Sequence, residues 1–283
     1  MQSAVVNGTP LAYVEKGTGR PVFFVHGSLA DFRSWGPQMD PFSAAFRAIA
    51  YSRRFHFPNP VTGAGNDYSA AGHAADLAAF IREVGPGPAH VVASSFGAYA
   101  SLILAVREPG LVRSLVIGEP PLLPWLPDIP DGQAALDAFL RGAWEPARRA
   151  FQAGNREEGV RHFLNGVLGP GSYEKFPQSA RAGLLANAAE IMASRYSVTF
   201  EAETTSEGFF SPLGRDEVRR IDTPVLLLNA ERSPRMFHLI TDELARCLPR
   251  AARREIPAAS HSMHLDNPRF FNDSVLAFLE EHS

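Results

Sequence analysis

An alternation constrains this chain more than any other feature: short apolar runs of strand length trade places with helical patterns. PVFFV, RAIAY, AHVVAS, LVRSLVIG and TPVLLLNA read as buried strands, with the helical stretches SAAGHAADLAAFIREVG and FGAYASLILAVRE set among them. A chain patterned in this way folds as a mostly parallel sheet with helices packed on its faces. In the first helical stretch Leu77, Phe80, Ile81 and Val84 recur on one helix face, behind Ser69 as N-cap and ahead of Gly85 as the stop. A hairpin-like pair, SAVV and LAYVEKG, precedes the first buried run. The short strand RREIP and a helix carrying Phe270, Phe271, Val275, Phe278 and Leu279 close the chain.

The rhythm breaks once. The proline-rich PPLLPWLPDIPDG opens a stretch of helical segments that runs to about Phe210 without a strand. Residues 121–211 are therefore read as an inserted helical cap, and residues 1–120 with 212–283 as one α/β core of eight strands. A length of 283 residues and a hydrophobic content of 45% suffice for one large core with such an insertion.

Charge and leader patterns narrow the partners. With 27 basic against 30 acidic residues and no run of five or six like charges, the chain lacks the basic footprint of a nucleic-acid binder. The opening MQSAVVNGTPLAYVEKG has no basic segment followed by an apolar run, and no stretch is apolar enough for a membrane span. A cytoplasmic location is expected, so the sequons at Asn7 and Asn272 carry no weight. The lone Cys247 excludes an intrachain disulfide and a CxxC site and reads as a buried structural thiol. Gly63 and Gly65 are too bare to make a phosphate loop.

The residues that can carry chemistry sit where strands end. VVASSFGA, residues 91–98, places Ser95 between a strand and a helix, with the small Ala93 and Gly97 two positions to either side. A nucleophile on a sharp strand-to-helix turn needs that smallness, and the N–H of Phe96 then becomes an oxyanion donor. A serine-rich helix cap is the competing reading of these residues. After PVFFV, His26 and Gly27 allow a tight loop that offers a second donor, the N–H of Ser28, with His26 itself structural. IPAASHSMHLDNPRFF puts His261 after the last strand, where a general base can reach Ser95. His264 reads as a packing or supporting residue, and the pair lacks the further ligands a metal site needs.

In this order, the histidine–glycine loop, the small-x-Ser-x-small turn, the proline-rich insertion and the late histidine resemble the α/β-hydrolase superfamily over essentially the whole chain outside the cap. Ala93 departs from the family's first glycine. Ser95, in place of an aspartate, argues against the dehalogenase and epoxide-hydrolase branches. The resemblance implies a triad acid, and the family usually supplies an aspartate in the loop after the strand written here PVLLLNA. This chain has NAERSP, with Ser233 at that place. Glu231 on the same loop and Glu119 at the end of LVIGE are the two substitutes; Glu119, a position that some relatives use, is favoured.

The activity implied is serine hydrolysis of a carboxylic ester or lactone by Ser95, His261 and Glu119, without a cofactor or metal. Carbon–carbon bond hydrolysis or cofactor-free oxygenation on the same fold is the first alternative, and a non-catalytic ligand-binding homologue the second. Arg54 and His56 in YSRRFHFPNP are expected to touch a polar group of a small-molecule substrate, with a loop-packing role as the competing reading, and Trp125 in the cap is expected to touch the substrate. Of the cap aromatics as a set, Trp125 with Phe139, Trp144, Phe151, Phe163, Tyr173, Phe176 and Tyr196, about two are expected to do so. An aromatic cap can close over its own pocket or pair with a second copy, with the homodimer favoured.

Overall fold

The computed structural model describes residues 1–61, 68–85, 87–192 and 210–283. Its eight strands are β1 Gln2–Val6, β2 Thr9–Lys16, β3 Pro21–Val25, β4 Arg47–Tyr51, β5 Ala89–Ser94, β6 Val112–Gly118, β7 Val225–Ala230 and β8 Ala252–Ile256. They form one sheet in the order β1-β2-β4-β3-β5-β6-β7-β8. The first two neighbour pairs are antiparallel, and every pair from β4 to β8 is parallel. The mostly parallel sheet implied by the alternation is present.

Side chains on a strand point to opposite faces in turn, and here each face has its own core. Phe23 and Val25, Val91 and Ala93, Leu115 and Ile117 pack on one side. Val22 and Phe24, Val92 and Val116 pack on the other, with Trp35, Phe42 and Phe271. Helices α2, Ala70–Val84, and α3, Ser95–Arg107, cover the first face. The Ser69 hydroxyl accepts the Gly72 N–H at 3.0 Å and starts α2. The helices Gly36–Ser43 and Pro268–Glu281 cover the second face. Edge strand β8, ARREI, is exposed at four of its five positions, and its charges discourage edge pairing.

Between β6 and β7 the described residues hold the helices Gly132–Phe139, Glu145–Gln152, Arg156–Leu168 and Gln178–Ala186, with shorter turns and no strand. Gly63, Gly65, Tyr196 and residues 193–209 of the expected insertion lie outside the described residues. Cys247 is buried, and that burial pushes its thiol up. No helix among the described residues is long and apolar enough to cross a membrane.

Topology is what assembles a site here. Ala93 pairs with Val25 on one side and Ile117 on the other, Gly118 with Leu228, and Ala230 with Ile256. Because these strands run parallel, the loops after β3, β5, β6, β7 and β8 emerge along one edge, the edge where α/β sheets bind ligands.

Candidate active site

Ser95 follows β5 directly and begins α3 with φ at +53°. A side chain in this left-handed region costs roughly 1–2 kcal/mol, held here by the strand behind and the helix ahead. The turn closes only with small neighbours. A Cβ on Gly97 would stand 2.6 Å from the Val25 carbonyl oxygen, and one on Gly27 would stand 2.8 Å from Ser95 Cβ. The amide of Phe96 belongs to the first turn of α3, where N–H groups have no acceptor within the helix.

Glu119 ends β6 with φ at +46° and is fully buried. Its Oε1 accepts the Ala230 N–H at 2.8 Å and Asn229 Nδ2 at 3.1 Å. Its Oε2 lies 2.7 Å from the Ser233 hydroxyl, which donates, and 2.6 Å from His261 Nδ1. Burial works to raise the carboxyl's pKa, but the bonds from His261, Ala230 and Ser233 outweigh it and hold it below the usual range. The carboxylate orients the ring with its proton on Nδ1, leaving the Nε2 lone pair free. Nε2 is buried and has no partner among the described residues. Phe237 stacks on the imidazole, with centroids 4.0 Å apart and planes inclined by 13°. Glu231, by contrast, is exposed and accepts the Ala258 N–H at 2.6 Å.

A cavity of about 390 Å³ opens between this edge and the helices between β6 and β7, and both Ser95 and His261 line it. Gly27 and Ser28 form part of its floor. Its apolar wall comes from Phe163, Leu164, Val167, Leu168, Phe176 and Leu184. Asp31, Arg33 and Asn187 make a polar corner: Arg33 and Asn187 Nδ2 both bond the buried Asp31 carboxylate, whose pKa these bonds lower against the effect of burial. His264 also lines the cavity and stacks on Trp35 at 4.3 Å. Burial, then the neighbouring His261, brings the pKa of His264 down to about 4, so it is neutral at neutral pH. Among the described residues no group of three His, Cys, Asp or Glu is placed to hold a metal ion.

Three residues expected at the substrate lie elsewhere. Arg54 turns to Asp76, with Nη2 2.5 Å from Oδ1, and does not line the cavity. His56 is fully buried, its Nδ1 2.9 Å from the Arg54 carbonyl oxygen and its Nε2 3.4 Å from Glu190. Trp125 donates to the Leu213 carbonyl at 2.8 Å and carries Arg215 over its ring. In each case an internal partner satisfies the polar atoms, so the side chain has reason to face the protein. Of the cap aromatics, Phe163 and Phe176 line the cavity; Trp144, Phe151 and Tyr173 are buried in the core.

Sequence reasoning passed over Asp31, Arg53, Asn187, Glu190 and Phe237. Two of them had a readable signal. Glu190 is a lone acid in the apolar stretch ANAAEIMAS, and Arg53 follows the apolar run RAIAY; a charge embedded in such a context calls for a buried partner.

Comparisons with known proteins fit this arrangement. The family model described as "Alpha/beta hydrolase family" matches residues 22–274. The chain is 27% identical over 285 residues to a non-heme haloperoxidase of Rhodococcus erythropolis, covering 97% of each chain. Among solved structures, a meta-cleavage product hydrolase of Pseudomonas fluorescens IP01 superposes with TM-score 0.76 at 16% identity, covering 100% of this chain and 98% of that one. An N-acyl homoserine lactone degrading enzyme superposes with TM-score 0.72 at 22% identity, covering 98% of this chain and 100% of that one. At these identities the superpositions speak for the fold.

Proposed function

This chain belongs to the α/β hydrolase family, and from that premise we propose that it is a serine hydrolase cleaving a carboxylic ester or lactone through an acyl-enzyme on Ser95. The observation that carries this reading is the Glu119–His261 pair at 2.6 Å, whose free Nε2 shares a cavity with the strained Ser95. His261 Nε2 takes the Ser95 proton as Oγ adds to the substrate carbonyl. The N–H groups of Phe96 and Ser28 hold the oxyanion, and Glu119 stabilises the imidazolium that forms. His261 returns the proton to the departing alkoxide. Water, deprotonated by the same nitrogen, then adds to the acyl group and frees Ser95, yielding an acid and an alcohol, or one hydroxy acid from a lactone.

The wall of Phe163, Leu164, Val167, Leu168, Phe176 and Leu184 supports a mainly apolar acyl group of small to medium size. In this reading residues 121–211 act as a cap whose helices shape that wall. The test is a panel of p-nitrophenyl acetate, butyrate and octanoate, an acylated γ-lactone and a 1,3-diketone. A burst of p-nitrophenol with an optimum in acyl length, abolished in His261→Ala, is expected. Turnover of the diketone alone would move the chemistry to carbon–carbon cleavage.

A further inference from the structure

A second group of buried titratable side chains lies outside the proposed triad. Arg53, His56, His73 and Glu190 are each no more than 1% exposed. Arg53 follows β4 after one residue, His73 is in α2, and Glu190 comes from the segment between β6 and β7, 137 residues from Arg53. The Arg53 guanidinium forks onto Glu190, Nη1 to Oε1 at 2.6 Å and Nη2 to Oε2 at 3.2 Å. His73 Nε2 stands 2.7 Å from the same Oε1. Burial works to raise the Glu190 pKa, but Arg53, His56 and His73 hold it well below the carboxylate range. Such an isolated interior pair is poor value for stability alone, because desolvating two ions offsets most of their attraction.

Three further bonds of Arg53 go to one loop. Its Nε donates to the His26 carbonyl at 3.0 Å, its Nη2 to the Gly27 carbonyl at 3.2 Å, and its backbone N–H to His26 Nε2 at 2.9 Å. That last bond leaves the ring proton of His26 on Nδ1, which donates to the same Gly27 oxygen at 2.7 Å. Two donors therefore hold the Gly27 carbonyl. The Gly27–Ser28 peptide is trans, so the N–H of Ser28 is antiparallel to that carbonyl and its direction is fixed with it. The guanidinium also lies over the Phe96 ring, 5.1 Å from its centroid.

We propose that Arg53, clamped by Glu190, is the positioning residue of the oxyanion site: it sets the Gly27–Ser28 peptide plane and couples that setting to the seating of the helical insertion. The proposal rests on the serine-hydrolase reading above. Neither residue touches substrate. Because Glu190 belongs to the inserted segment, a displaced insertion would release the guanidinium and loosen the donor before the nucleophile is disturbed.

The experiment compares wild type with Arg53→Met, Arg53→Lys and Glu190→Gln. It reads kcat and KM on p-nitrophenyl butyrate, the rate of Ser95 phosphonylation by a fluorophosphonate, and Tm. Arg53→Met should lower kcat and the phosphonylation rate together by about 10²-fold with KM within about twofold, as for loss of one oxyanion donor. Arg53→Lys, which keeps the charge but not the planar fork, should recover part of the loss, and Glu190→Gln should lose about tenfold. If Arg53→Met fails to fold, Glu190→Gln decides by the same pair of rates. Variants that lose only Tm, with kcat and phosphonylation unchanged per folded molecule, would reduce the cluster to a structural pin and overturn the proposal. A wild type that is neither labelled nor active would overturn the serine-hydrolase reading first, and this proposal with it.

Discussion

Two buried carboxylate–histidine clusters stand in this molecule, and they differ in whether one of their members lines a cavity. In one, Glu119 takes its bonds from Asn229, Ala230, Ser233 and His261, and the far nitrogen of His261 reaches a residue set that lines a cavity. In the other, both oxygens of Glu190 are held by Arg53, with His73 and His56 alongside, and none of these four lines the cavity. His73 Nδ1 is also buried and without a partner among the described residues, but His73 does not line the cavity. The lesson is that burial and charge pairing alone do not mark a reactive site. On the proposed function, the reactive cluster puts one basic residue on the cavity wall, and the supporting cluster spends its atoms on the backbone around it.

The comparison can be broken most severely at Glu119. Glu119→Gln should lower kcat/KM on p-nitrophenyl butyrate by roughly 10³–10⁴-fold, because a neutral amide cannot stabilise the imidazolium. Glu231→Gln, on the exposed loop, should stay near wild type. Equal losses in the two variants would place the acid elsewhere. In the other cluster the expected loss is of stability: Glu190→Ala leaves the Arg53 charge buried and unpaired, costing about 3–5 kcal/mol in urea unfolding. An unchanged midpoint would mean that water reaches Arg53 freely.

A smaller effect, with a pH signature, comes from the histidines. Burial, then the Arg53 charge, brings the pKa of His73 down to about 4, against an ordinary value near 6.5. Between those values the unfolded chain binds the extra proton, so stability is complete above pH 6.5 and falls as the pH drops toward 4. The loss is roughly 3 kcal/mol for this one group. Glu119 and Glu190, whose pKa values are lowered, add their losses only below the usual carboxylate range. Urea unfolding from pH 7 to 4 should show the slope, to which His90 and His264, also brought down to about 4, contribute, and His73→Gln should remove its own share; an unchanged slope would remove His73 as one of its sources. The smallest effect is at the cavity wall. Phe163→Ala should shift acyl preference toward longer chains by about 1–2 kcal/mol in relative kcat/KM, the scale of one or two buried methylenes.

Much of this molecule is legible in its amino-acid order, for a local reason. Strand alternation, the Ser69 cap of α2 and the smallness required around Ser95 are set by residues within a few positions of one another. The placement of Ser95, Glu119 and His261 along one edge follows from each residue's lying past the end of a parallel strand. The long-range pairings of Arg53 and Arg54 were not legible. Arg54, expected at a substrate, lies against Asp76, and Arg53 meets a glutamate 137 residues away. No periodicity encodes such a partner; it is set by how the segment between β6 and β7 packs on the sheet. Ser233 is the instructive intermediate case. Its place on the loop marks where the family carries an acid, and here its hydroxyl donates to the acid that arrives from β6.

The most direct test of the central claim is intact-mass analysis of the protein treated with a fluorophosphonate, paired with ester hydrolysis by the same samples. The account predicts one phosphonyl adduct per chain, mapped to Ser95, appearing as activity disappears, and neither adduct nor turnover in Ser95→Ala. An unlabelled wild type that still hydrolyses esters, or a Ser95→Ala protein that keeps its activity, would contradict it.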